Sequence, residues 1–295
     1  MNKEEEILYN FIKSKLPKNV SFIHVIADVL DISYDSAYRR VKGSTILSMK
    51  EALQLSNHFK FNLNDLISNE LETSNTVLIE KSHTVISDDF MSVFFEKSNK
   101  EIKEVLNSKK GQVIHCAKDF PFYHSTQNAF KDFRLYLFIN FISSDKSIKK
   151  IPFSEFKPSK EISEKYDLFL DYFSKVPLIE IWNNTTIDNV LNQILYFYEV
   201  GLTTKKEAVS IADGLIDSLM SLENQAKKEK RDNSSKSFHL YHNNLISLLN
   251  SVLMKTDYGE KVYLPYTNLK YLIISDKNTS KEIKHNINTQ LEFSN

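Results

Sequence analysis

Eight side chains within ten residues, Ser33, Tyr34, Asp35, Ser36, Tyr38, Arg39, Arg40 and Lys42, have the chemistry that grips a DNA groove. Hydroxyl, guanidinium and ammonium groups hold phosphate, and an arginine can also meet a guanine edge with two hydrogen bonds. Arg39 and Arg40 are adjacent, so their heads diverge on a helix. One is expected to read a base edge while the other grips phosphate. Ser33 and Ser36 are expected near the helix start, with Tyr34, Asp35 and Tyr38 beside them.

Other constellations are weaker. His115 and Cys116, with Asp119 nearby, have the residue types of a nucleophilic pair. Neighbours on a strand point to opposite faces, and no nucleophile motif surrounds them, so catalysis is not expected. His239 and His242 have a His-x-x-His spacing, but no second cysteine or acidic pair completes a metal site. No cofactor is expected either, since five glycines leave no nucleotide-binding loop. Tyr123, His124, Trp182 and Tyr241 are the candidate lining of an effector pocket. Their rings join an apolar body to a polar edge, as small-molecule sites require.

The elements that must hold the basic residues are legible. Phe22, Ile26, Ala27 and Leu30 form an apolar stripe at helical spacing, and Asp31 stands where the chain must turn sharply. Ser33 is a good N-cap for a second helix whose Ala37 and Val41 face inward, and Gly43 suits a left-handed C-cap. A helix, a tight turn and a second basic helix make the arrangement that enters a major groove. Leu8, Phe11 and Ile12 give a preceding helix stopped at Pro17. Ser48 and Glu51 open a fourth helix that turns Ala52, Leu53 and Phe59 inward. Phe61, Leu63, Leu66 and Ile67 are expected to form a short fifth.

On these residues, Asp28 to Ile67 resembles the BetR-type helix-turn-helix module of bacterial transcription regulators. Ser36 to Arg40 followed by Gly43 is its most specific piece. The phrases at 179–202 and 253–272 also resemble the long C-terminal regions of Bacteroidetes-like regulators. The resemblance implies sequence-specific binding of double-stranded DNA.

Charge sets a limit on that binding. The chain has 38 basic and 38 acidic residues, and residues 1–70 hold nine of each. Affinity from phosphate contacts grows with the number of phosphates neutralised. A monomer would bind weakly, so a homodimer is expected. A small-molecule or protein effector would act through the C-terminal region. Composition is that of a globular chain, with 41% hydrophobic and 26% charged residues. The longest apolar run, Leu135 to Ile142, is far too short to span a bilayer. No signal-peptide pattern opens the chain, and its single cysteine suits a reducing cytoplasm.

The expected fold is mainly α. Residues 1–70 form a five-helix DNA-binding bundle, 71–87 a linker, and 88–295 a dimerisation or sensing domain. That domain is expected to be α+β, mostly helical with a small antiparallel sheet. Its strands are expected at 112–118, 238–241, 251–255, 261–266 and 271–275, and helices at 99–106, 129–142, 186–198, from 204 onward, and around Ile283 to Leu291. A second class of function stays open. The bundle could instead bind a protein, as an adaptor in phage defence or on a mobile element.

Overall fold

The computed structural model describes residues 2–17, 20–59, 61, 63, 79–82, 90–142, 151–245 and 247–295. The chain divides into two units, Met1–Leu78 and Ile79–Asn295.

The first unit holds α1 (Lys3–Lys15), α2 (Phe22–Leu30), α3 (Tyr34–Val41) and α4 (Met49–Phe59). Asn2 and Glu5 close a capping box on α1, and Ser48 and Glu51 bond reciprocally at the start of α4. Leu8, Ile12, Ile26, Ala27, Leu30, Ala37 and Leu55 make the core. Leu53, expected inside, is 49% exposed, and Leu55 takes the inner position instead. Most of the expected fifth helix lies outside the described residues.

The second unit corrects the expected fold class. Among the described residues its sheet has seven strands: β1 (Glu80–Lys81), β2 (Gln112–Ala117), β3 (Leu178–Trp182), β4 (Phe238–His242), β5 (Ser251–Thr256), β6 (Gly259–Thr267) and β7 (Lys270–Ile274). They lie in the order β1-β7-β6-β5-β2-β3-β4. The β2, β3 and β4 strands run parallel, and β5, β6, β7 and β1 continue antiparallel from the β2 edge. This is a sizeable mixed α/β sheet, not a small antiparallel one on a mainly α chain.

The reason for the difference is pairing. Strand periodicity marks the runs but not their partners, and parallel neighbours need long helical crossovers between them. Here the crossovers are α6 (Asn128–Leu137) with α7 (Lys160–Phe173), then α8 (Asn184–Glu199) with α9 (Lys205–Lys228). The strands missed from sequence are β1, two residues inside the expected linker, and β3, Leu-Ile-Glu-Ile-Trp, which reads as part of an aromatic-rich stretch.

Both faces of the central strands are covered. One face packs on α5 (Phe90–Asn107) and α6 to α9, through a large core that includes Phe95, Phe122, Phe130, Tyr166 and Phe238. The other buries Ile114, Cys116, Ile181, Leu253 and Val262 beneath α10 (Lys277–Glu292), whose Ile287 joins them. Alternation along β2 and β3 therefore sends His115 and Glu180 to the first face and Cys116 and Ile181 to the second. The helix expected over 129–142 ends in a π-helical turn at Phe138–Ile142. Gly201, in the left-handed region at φ 72, turns the α8–α9 hairpin.

Candidate functional site

In the first unit, the corner between α2 and α3 is Asp31, in the left-handed region at φ 53 and ψ 51. Ile32 then donates its N–H to the Ala27 carbonyl at 3.0 Å, and Ser33 caps α3 by accepting from the Ser36 N–H. Gly43, also left-handed at φ 74, follows the helix. With Ala37 fully buried, the opposite face of α3 is left to solvent. Ser33, Tyr34, Asp35, Tyr38, Arg39 and Lys42 are exposed there, and Ser36 is half-buried. The Tyr34 ring packs on His24, and Lys42 Nζ lies 5.9 Å from the centre of the Tyr38 ring.

The two arginines have different surroundings. Arg40 is half-buried, pairs with Glu51 at 2.8 Å and donates to the Ser36 carbonyl at 3.1 Å. It therefore ties α3 to α4. Glu51 is opposed by burial, which would raise its pKa, but its hydrogen bonds to Ser48 and Arg40 hold the carboxyl below its ordinary value. Arg39 has no side-chain partner among the described residues, and its head is free in solvent.

In the second unit, a buried polar cluster forms around Glu180, a residue the sequence reading passed over. Glu180 is fully buried in β3 and accepts three hydrogen bonds. Tyr123 donates its O–H at 2.5 Å, His124 its Nε2–H at 2.9 Å and Trp182 its Nε1–H at 3.1 Å. The Tyr123 proton is thereby committed, so its oxygen accepts from His115 Nδ1 at 2.7 Å. The only hint in the sequence is a lone acid inside an apolar strand.

Electrostatics within the cluster follow from desolvation. Burial works to raise the Glu180 pKa, but the charge that His124 and His115 carry when protonated, with the hydrogen bonds from His124 and Tyr123, outweighs it and holds the carboxyl below its ordinary value. Burial lowers His115 and His124 below the ordinary histidine value, against the pull of Glu180. Both imidazoles are therefore neutral near pH 7. Burial pushes Tyr123 well up, so it remains a donor. The balancing charge is Arg231, only 5% exposed, which donates to the carbonyls of Phe173 and Ser174 and faces Glu180.

Three of the four expected pocket residues, Tyr123, His124 and Trp182, thus meet at Glu180. Tyr241 does not join them. It pairs in register with Ile181 and belongs to the opposite face of the sheet. Tyr123 stands between two cavities. One, of about 300 Å³, is bounded by His115, Phe122, Phe173 and Tyr271, and the other, of about 180 Å³, by His124, Gln225 and Arg231.

The remaining sequence candidates fall apart in space. Cys116 faces the α10 side, away from His115, and burial pushes its thiol up to about 11. The pair cannot act together. His242 is exposed and bonds Asn184, and strand alternation points His239 the other way. Among the described residues no group of three or more His, Cys, Asp or Glu could hold a metal ion, and no helix is long and apolar enough to cross a membrane. Compared with protein-family models, with curated proteins and with solved structures, the chain matches none.

Proposed function

We propose that this chain is a cytoplasmic transcription regulator of the BetR type that binds double-stranded DNA as a homodimer. The observation that carries the reading is the outer face of α3. It combines a sharp left-handed corner, a serine cap and an exposed row of Ser33, Tyr34, Asp35, Tyr38, Arg39 and Lys42. That is the geometry a reading helix needs to enter a major groove with its N-terminal residues toward the bases. Arg39 is the base or phosphate contact, and Arg40 acts through the bundle by holding α3 on α4.

Two copies are needed because the reading face is poor in cations. The second unit has a surface suited to this. Leu191, Leu195 and Tyr198 on α8, and Val209, Ile216 and Met220 on α9, are 43% to 62% exposed and recur at helical spacing. With Tyr196 and Val200 they present roughly 300–500 Å² of apolar surface, near the apolar share of a standard interface side of about 800 Å². A second copy of the same hairpin is the proposed occupant. An effector bound in the second unit would shift the spacing of the two reading helices, for which about 1–3 kcal/mol of coupling suffices.

The test is to select bound fragments from the source genome with the purified full chain, then map the protected site. Two half-sites about 34 Å apart, or a multiple of that, are expected. Failure to enrich any sequence would overturn the reading. One observation favours a second reading, in which the bundle is a protein-binding adaptor. Ile46, Met49 and Leu53 are 49% to 77% exposed on the same unit. Replacing Leu53 with Ser would then abolish partner capture while Arg39→Ala did not.

A further inference from the structure

The larger cavity of the second unit lies between the sheet and α5 and α7. Its helical wall is aromatic, with Phe94, Phe169 and Phe173, and its strand wall is closed by Val252, Met254 and Tyr263. At about 300 Å³ it is roughly twice the volume of an apolar cavity that takes a benzene ring. A two-ring aromatic molecule is the matching size.

Uncharged polar residues that line this space include His115, Tyr123, Tyr263 and Tyr271, and the Tyr123 and Tyr263 hydroxyls are taken up by Glu180 and Glu101. The His115 ring is committed through Nδ1 to Tyr123. The Tyr271 hydroxyl has no hydrogen-bond partner among the described residues, and burial pushes its pKa up to about 12, so it stays neutral. Tyr271 is half-buried and lines the cavity, so a hydroxyl without a protein partner among the described residues is available to a molecule seated there. The charged residues around the cavity are two of each sign, Lys97 and Lys100 against Glu80 and Glu101. Lys97 is held by the Ser82 carbonyl, and Glu101 by Lys261 and Tyr263. No net charge is left over to select an ion.

We infer that this cavity binds a small uncharged two-ring aromatic molecule, whose single N–H or O–H donates to the Tyr271 hydroxyl while its rings stack among Phe94, Phe169 and Phe173. Polar groups in such sites fix orientation, and the apolar walls supply the affinity. The inference deepens the proposed sensing role but stands on the cavity alone, so binding is measured first without DNA.

The probe is indole, titrated into the full chain by calorimetry, with 1-methylindole and indole-3-carboxylate as comparators. Indole should bind saturably. Methylation of its nitrogen should weaken binding roughly three- to tenfold, the worth of one hydrogen bond. The carboxylate should bind more weakly than indole. Tyr271→Phe should cost indole the same factor and leave 1-methylindole unchanged. Met254→Trp should fill the cavity and abolish binding with the circular dichroism spectrum intact, and Ile273→Phe serves if that variant does not fold. The inference is overturned if indole shows no saturable binding at millimolar concentration, if the carboxylate binds best, or if binding survives the filled cavity. An effect of indole on DNA affinity tests the regulator reading separately: binding without such an effect would sink that reading and leave the site.

Discussion

Arg40 and Glu51 meet at 2.8 Å across the gap between α3 and α4, with side chains only 19% and 13% exposed. Adjacent arginines thereby acquire separate duties, one holding the bundle and the other free to reach a ligand. The division could not be read from the sequence, where both stand in the same basic run.

Arg39→Ala and Arg40→Ala should therefore fail in different assays. Arg40→Ala should lower the stability of the chain by about 1–2 kcal/mol, between the worth of an exposed and a buried pair. Arg39→Ala should leave thermal unfolding unchanged and weaken binding to a selected operator by about tenfold or more, as the loss of a base or phosphate contact does. Unfolding and binding curves for both variants decide this. Equal behaviour of the two would refute the assignment.

Glu180→Ala should be strongly destabilising. It would leave the Tyr123, His124 and Trp182 donors facing no acceptor, and Arg231 without its opposing charge. The expected loss is about 3 kcal/mol or more, read as a drop in urea midpoint. A change below 1 kcal/mol would mean that water replaces the carboxylate at little cost.

The same cluster predicts acid sensitivity. His115, His124 and Glu180 all have folded-state pKa values below their ordinary ones of 6.5, 6.5 and 4.5. The unfolded chain then binds more protons, so the stabilisation is fully present above pH 6.5. It is lost as pH falls through the lowered histidine values, and further below pH 4.5 as Glu180 protonates. Urea midpoints should fall steadily from pH 7 to pH 5. A flat profile would contradict neutral buried histidines.

Dimerisation through the α8–α9 hairpin should be sensitive to single charges. Met220→Glu and Leu195→Glu place carboxylates on the two apolar stripes, which are 62% and 52% exposed at those positions. Light scattering should show the wild-type chain as a dimer at micromolar concentration and both variants as folded monomers. Unchanged mass in the variants would move the interface elsewhere.

Gly214 lies in the interior of α9, where alanine would ordinarily gain about 1 kcal/mol of helix propensity. Here an added Cβ would stand 2.9 Å from Phe130 Cβ and 3.3 Å from its backbone nitrogen, on the neighbouring α6. Gly214→Ala should reverse the usual sign and destabilise by about 1–3 kcal/mol. A raised melting temperature would show that the two helices can separate cheaply.

Local grammar was enough for the corner and the helix caps of the first unit, though not for its core, where Leu55 and not Leu53 is buried. Asp31, the Ser33 cap, Gly43 and the Ser48–Glu51 box stand within three or four residues of the groups they serve, so spacing alone reveals them. The same holds in the second unit for the helix expected from 204 onward, which opens on a Thr204–Glu207 capping box. What spacing does not encode is which strand neighbours which, and the cluster depends on that. His115 and Glu180 are brought side by side by parallel register, and Tyr123 reaches Glu180 across 57 residues of chain. A buried charge is stable only where distant donors converge on it, and that convergence is a property of the assembled sheet. The residue types and the corner and caps of α3 were thus decided by the chain itself, whereas the α/β sheet, the Glu180 cluster and the different surroundings of the two arginines were decided by tertiary packing.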